Sequence, residues 1–139
     1  MTTNANAPEV LKQFFDSMNK WERDNLIPLR TEAPGSERRA KTALEKIYSK
    51  FLTKKERKSG KLASLDVGEP PEYDKDLEVI VNQDIQDKTG IIETQRTDPN
   101  ARKFIERFRY HLKYQGQVWR IDRKEMFSLE KSKWINIVL

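Results

Sequence analysis

Cysteine is absent from the 139 residues, which excludes disulfides, thiolate zinc sites and cysteine nucleophiles together and suits a reducing compartment. Histidine occurs once, as His111, so no pair of imidazoles at helical spacing can build a metal site, and no metal or other cofactor is expected. The five glycines stand singly, and neither a phosphate-cradling Gly-rich loop nor a Gly-x-Ser-x-Gly elbow occurs. Long hydrophobic runs are missing too. Charge interrupts every apolar stretch well short of the ~20 residues that span a bilayer, so no membrane association is expected. Residues Met1 to Pro8 carry no basic start or apolar run and read as a mobile tail rather than a secretory signal. These observations imply a cytoplasmic protein.

What is present is a globular composition, 36% hydrophobic and 35% charged, of a size that makes one core. The net charge of +5 is unevenly spread. Asp66 to Asn100 holds ten acids and three bases, net −7, and the rest of the chain is net +12. An acidic middle therefore lies inside a basic frame.

Apolar residues at Val10, Leu11, Phe14, Phe15, Met18 and Trp21 predict a helix from Pro8 to Leu26, ended by Pro28. Ser36 reads as the N-cap of a second helix carrying Ala40, Leu44, Ile47 and Phe51. Thr53-Lys54-Lys55-Glu56 fits a capping box that opens a further short helical turn. A Gly- and Pro-rich connector over residues 59–76 leads to strands at Leu77 to Gln86 and Ile91 to Thr97. Phe104, Phe108, Tyr110, Leu112 and Tyr114 alternate with Arg107, Arg109, His111 and Lys113 in a third strand. A turn at Gln115-Gly116 would set Leu112 opposite a core Trp119, Tyr110 opposite Ile121, Arg109 opposite Asp122, and His111 beside Arg120. Lys133 to Leu139 completes the sheet. The expected architecture is α+β: two or three N-terminal helices packed on a curved antiparallel sheet, with residues 9–139 as a single domain.

Chemistry is sparse in this pattern. His111 lies on a charged strand face, where a solvated cross-strand role is the simplest reading. Tyr110, Tyr114, Asp122 and Glu106 are the candidates for a general base and a hydrogen-bond donor in a cone-shaped pocket, set against core packing for the tyrosines and an arginine partner for Asp122. Lys54, Lys55, Arg57, Lys58 and Lys61 form a basic cluster without the interleaved aromatics that stack bases, so no nucleic-acid partner is expected.

Three stretches bear a family likeness: Phe51-Leu52-Thr53-Lys54-Lys55-Glu56-Arg57, Gly68-Glu69-Pro70-Pro71-Glu72-Tyr73-Asp74, and Trp119-Arg120-Ile121-Asp122 with Lys133-Trp134. On these the chain resembles a bacterial immunity protein of the nuclear transport factor 2 fold, the class that accompanies polymorphic toxins. The resemblance implies a cystatin-like cone that neutralises a cognate toxin by direct stoichiometric binding, with no catalytic residues. The alternative is a small-molecule-binding protein or pocket enzyme of the same cone, of isomerase, dehydratase or hydrolase type.

Glu78, Asp84 and Gln86 alternate with Leu77, Val79, Val81 and Ile85, so they should face outward if the apolar set packs inward. With Glu72, Asp74, Asp76 and Asp87 they are expected to form a contiguous negative surface that meets a basic patch on the toxin. Pro70-Pro71 with Tyr73 also reads more plainly, as a stiff approach to the sheet with the ring on the core. The sequence sets no oligomeric state.

Overall fold

The computed structural model describes residues 5–55, 57, 65, 67–98 and 104–139. Helix α1 spans Ala7–Arg30 and α2 spans Ser36–Phe51. The Asn6 side chain caps α1 by accepting the Glu9 N–H at 3.0 Å, with Pro8 in the first turn where its missing N–H costs nothing. Pro8 is helical, as the predicted helix start has it, and Ala7 before it is helical too and fully buried.

Pro28 does not end α1 but lies inside its last turn. A proline there removes one hydrogen bond near a helix end, and Leu29 packing against the core beyond it offsets that loss. The cap of α2 is Gly35 at φ 73°, a left-handed conformation that favours glycine, and Ser36 is instead the buried first helical residue. No helix follows at Thr53 to Lys55. There the Thr53 N–H donates to the Ile121 carbonyl at 2.9 Å, tying the chain to the sheet. Glu56, Lys58 and Lys61 lie outside the described residues, as do Pro99 and Asn100.

Five strands follow in meander order: β1 Glu78–Gln86, β2 Thr89–Thr97, β3 Ile105–Gln115, β4 Val118–Ser128 and β5 Lys133–Ile137. Each pairs antiparallel with the next, and the two helices pack on one face of the curved sheet. Phe14, Phe15 and Met18 of α1 and Leu44 and Phe51 of α2 meet Ile92, Tyr110, Leu112 and Ile121 in the core.

Two bulges decide which side chains face that core. The β3–β4 turn is Gly116-Gln117, both at positive φ as a tight hairpin requires, so Tyr114 pairs with Trp119 and Leu112 with Ile121. The expected register is thus two residues off, an even shift that preserves the faces near the turn. Trp119 is only half-buried and packs against Tyr114 with ring centroids 5.4 Å apart and planes tilted by 57°. Beyond Leu112, Asp122 is an extra residue in β4: His111 pairs with Arg123, Tyr110 with Lys124 and Arg109 with Glu125. That reversal carries Lys124 into the core.

In β1 the register shifts between Ile80 and Asn82. N-terminal to the shift the expected sidedness is inverted: Glu78 is buried, and Val79 is 53% exposed. C-terminal to it, Asp84 and Gln86 are exposed, but so are Val81 and Ile85, which were expected to pack inward.

Candidate partner-binding surface

The inner face of the sheet holds charged groups that are already engaged. Glu78 Oε2 accepts hydrogen bonds from the Tyr110 hydroxyl at 2.8 Å and the Thr94 hydroxyl at 2.6 Å. Lys124 Nζ lies 4.6 Å from the Tyr73 ring centroid, 4.3 Å from Phe108 and 5.2 Å from Tyr110, and donates to the Tyr73 hydroxyl at 3.4 Å. Aromatic faces thus hold a desolvated ammonium. Burial, reinforced by the neighbouring carboxylates, pushes both Tyr73 and Tyr110 well above the ordinary phenol value, so neither serves as a base near neutrality.

The four pocket candidates do not converge. Tyr110 is spent on Glu78, Tyr114 packs against Trp119, Glu106 pairs with Arg96 at 3.6 Å, and Asp122 lies at the β4 bulge. Around Asp122, burial alone would raise the carboxyl pKa. The Thr53 hydroxyl, donating at 2.7 Å, together with Lys55 at 3.3 Å and Lys113 at 3.7 Å, outweighs that and holds it below its usual range. A groove of about 410 Å³ remains at the mouth of the cone, bordered by Pro70, Glu72, Arg96, Glu106, Lys124 and Met126. No group of three metal-ligating side chains occurs among the described residues. None of the described helices is long and apolar enough to cross a membrane.

The acids expected to share one surface fall into separate groups. Glu72 and Asp76 are exposed and Asp74 half-buried on the approach to β1, where Asp74 accepts the Asp76 N–H at 2.9 Å. Asp84 and Asp87 are exposed at the opposite end of that strand, about 25 Å away at ~3.3 Å per residue. Glu78, between them, points inward because Tyr110 and Thr94 offer it two donors that solvent would otherwise have to replace. It cannot belong to an exposed patch.

The outer face of the sheet carries a different constellation. Trp134 of β5 pairs with Phe127 of β4, whose ring Arg107 of β3 overlies. The Arg109 guanidinium lies 4.1 Å from the Trp134 ring centroid, and Arg107 lies 4.8 Å from Phe127 and 5.2 Å from Trp134. Glu93 reaches both arginines, at 3.5 Å and 3.7 Å. One strand spacing further on, Glu125 contacts His111 and lies 3.6 Å from Arg123. Burial would raise the Glu125 carboxyl, but the His111 hydrogen bond and the neighbouring cations hold it below its ordinary value. The alternation of Arg107, Arg109, His111 and Lys113 was visible in the sequence. Their aromatic partners were not, because they depend on how β5 aligns with β4.

A groove of about 540 Å³ also runs between the helices, bordered by Lys20, Trp21, Arg38, Ala43, Lys46 and Ile47.

Residues 6–137, both helices and the whole sheet, match the family of the NTF2 fold immunity protein. The chain belongs to that family. As an immunity protein it acts against a toxin, which accords with candidate catalytic groups that do not converge. The chain is also similar to the immunity protein RhsIA of Dickeya dadantii (strain 3937), with 41% identity over 136 residues covering 97% of each chain. No solved structure matches significantly. Among immunity proteins of this fold, the question for this chain is which surface meets the toxin.

Proposed function

We propose that the chain neutralises the toxin encoded beside it by forming a stoichiometric complex in the cytoplasm, without turnover. The observation that carries this reading is the filled cone. Phe14, Phe15, Tyr73 and Tyr110 occupy the space where an enzyme of this shape would hold substrate. Among the described residues Glu78 Oε2, Tyr110 and Thr94 bond to one another inside the sheet and Lys124 lies against the Tyr73, Phe108 and Tyr110 rings, which supports binding over catalysis.

Protection in cells co-expressing the two proteins should track complex formation at a fixed ratio. Protection that persisted with the toxin in large molar excess would indicate turnover and remove the stoichiometric reading.

The two acidic groups, Glu72, Asp74 and Asp76 at one end of β1 and Asp84 and Asp87 at the other, act in this reading as rim charges that steer a basic part of the toxin into place. The Asp84→Asn/Asp87→Asn variant should associate several-fold more slowly at low salt and show a weaker salt dependence, with its dissociation rate unchanged. Stopped-flow association at two salt concentrations measures both. An unchanged rate would remove these acids from the encounter surface.

A further inference from the structure

We propose that the outer face of the sheet, centred on Arg107, Arg109, Phe127 and Trp134, is the docking surface for the toxin and that it receives a carboxylate-bearing segment of it. This deepens the preceding reading and rests on it.

The first observation is the vertical layering of charge. The carboxylates of the face lie low, Glu93 with 17%, Glu125 with 16% and Asp122 with 14% of the side chain exposed. The cations stand above them, Arg107 at 40%, Arg109 at 38%, Arg123 at 42% and Lys113 at 49%. What a partner meets is therefore positive, although acids lie on the same face. A complementary surface presents carboxylates.

The second observation is preorganisation. A guanidinium has five N–H donors in a planar fork, and here the Trp134 and Phe127 rings fix the plane of the fork while one carboxylate, Glu93, is shared between two arginines. Donors remain for an incoming carboxylate, and little side-chain entropy is left to lose on binding. Half-buried arginines on the central strand β3, and a half-buried tryptophan on the edge strand β5 beside them, are also the residue types that dominate interface energies. Exposed Val79, Ile91 and Ile105 add apolar area on the margin.

The same geometry argues against nucleic acid. The aromatic faces that would stack bases are covered by guanidinium groups, and Glu93, Glu125 and Asp122 interleave the cations where a phosphate backbone would pass.

The test uses the full chain and a catalytically inactive form of the toxin from the adjoining gene. Calorimetry on the unaltered protein should give a one-to-one complex. Arg107→Gln/Arg109→Gln should weaken it by roughly 100-fold, mostly through faster dissociation, the scale of two central interface arginines. Hydrogen exchange on the unaltered protein covers the case in which that variant folds poorly: amides of β3, β4 and β5 around 107–113, 123–127 and 133–136 should gain protection in the complex. Short polyglutamate should compete with the toxin, and polylysine should not.

A one-to-one complex that survives the double substitution within threefold, or protection confined to the groove between the helices, overturns the assignment of this face while leaving toxin neutralisation standing. Failure of the unaltered protein to bind the toxin overturns the underlying reading instead. Retardation of a single-stranded oligonucleotide at physiological salt, lost on Arg107→Gln/Arg109→Gln, overturns the choice of a carboxylate partner.

Discussion

The two faces of the sheet both carry charge, aromatic rings and cation–π contacts, yet they use them to opposite ends. On the inner face Glu78, Lys124 and Tyr110 are each less than 4% exposed, and the contacts that satisfy them are internal. On the outer face Arg107, Arg109 and Trp134 are half-exposed, and their contacts orient them without using all their donors. The chemistry of the residues is similar in the two places. The difference lies in what covers them: the helices pack over one face, and the side chains of the other stay part-exposed.

The comparison breaks most readily at its aromatic anchors. Tyr110→Ala should cost about 3–5 kcal/mol of stability, the scale of a large core residue lost with its cavity. Trp134→Ala should cost less than half of that, because its ring is only half-buried. Urea denaturation of the two variants measures both, and equal losses would mean the faces are not energetically distinct.

Carboxylates give the next contrast. Glu78→Ala leaves the Tyr110 and Thr94 hydroxyls buried without their acceptor and should cost about 1–3 kcal/mol. Glu93→Ala loses only partly exposed ion pairs and should cost less than about 1 kcal/mol. A Glu93 loss matching that of Glu78 would show that the outer cluster is structural rather than poised for a partner.

A smaller effect sharpens the picture at the β4 bulge. The folded-state pKa of Asp122 is lowered, so its contribution to stability is fully present above the unfolded carboxylate value of about 4 and is lost as the pH falls through the folded value. Asp122→Asn should be less stable than the unaltered protein at pH 6, and the gap should narrow as the pH approaches 3. Thermal unfolding across that range checks the sign, and a gap that widened on acidification would contradict the lowered pKa.

Much of the fold was legible in the sequence because amphipathic periodicity survives in both helices and in β3. Val10, Leu11, Phe14, Phe15 and Met18 are buried as their spacing implies, and Phe108, Tyr110 and Leu112 alternate inward as theirs does. The candidate acids were less legible. Alternation in β1 assigned Glu78 to solvent and Val79 to the core, and the irregularity at Val81 together with the donors on Tyr110 and Thr94 reversed both. Hydrophobicity ranks a carboxylate as exposed unless two specific hydroxyls wait for it, and those hydroxyls come from other strands.

By itself the sequence determined the class of the molecule: helices before an antiparallel sheet, one core, and no cysteine or histidine cluster on which to build a metal or thiol site. These follow from composition and local period, which act over a few residues. Only the tertiary structure decided which charges were buried and which were presented. The extra residue at Asp122 turned Lys124 inward and Glu125 outward, and the alignment of β5 on β4 brought Trp134 beneath Arg109. A one-residue shift in a strand inverts every side chain beyond it, and strand alignment is set by contacts between segments far apart in the chain.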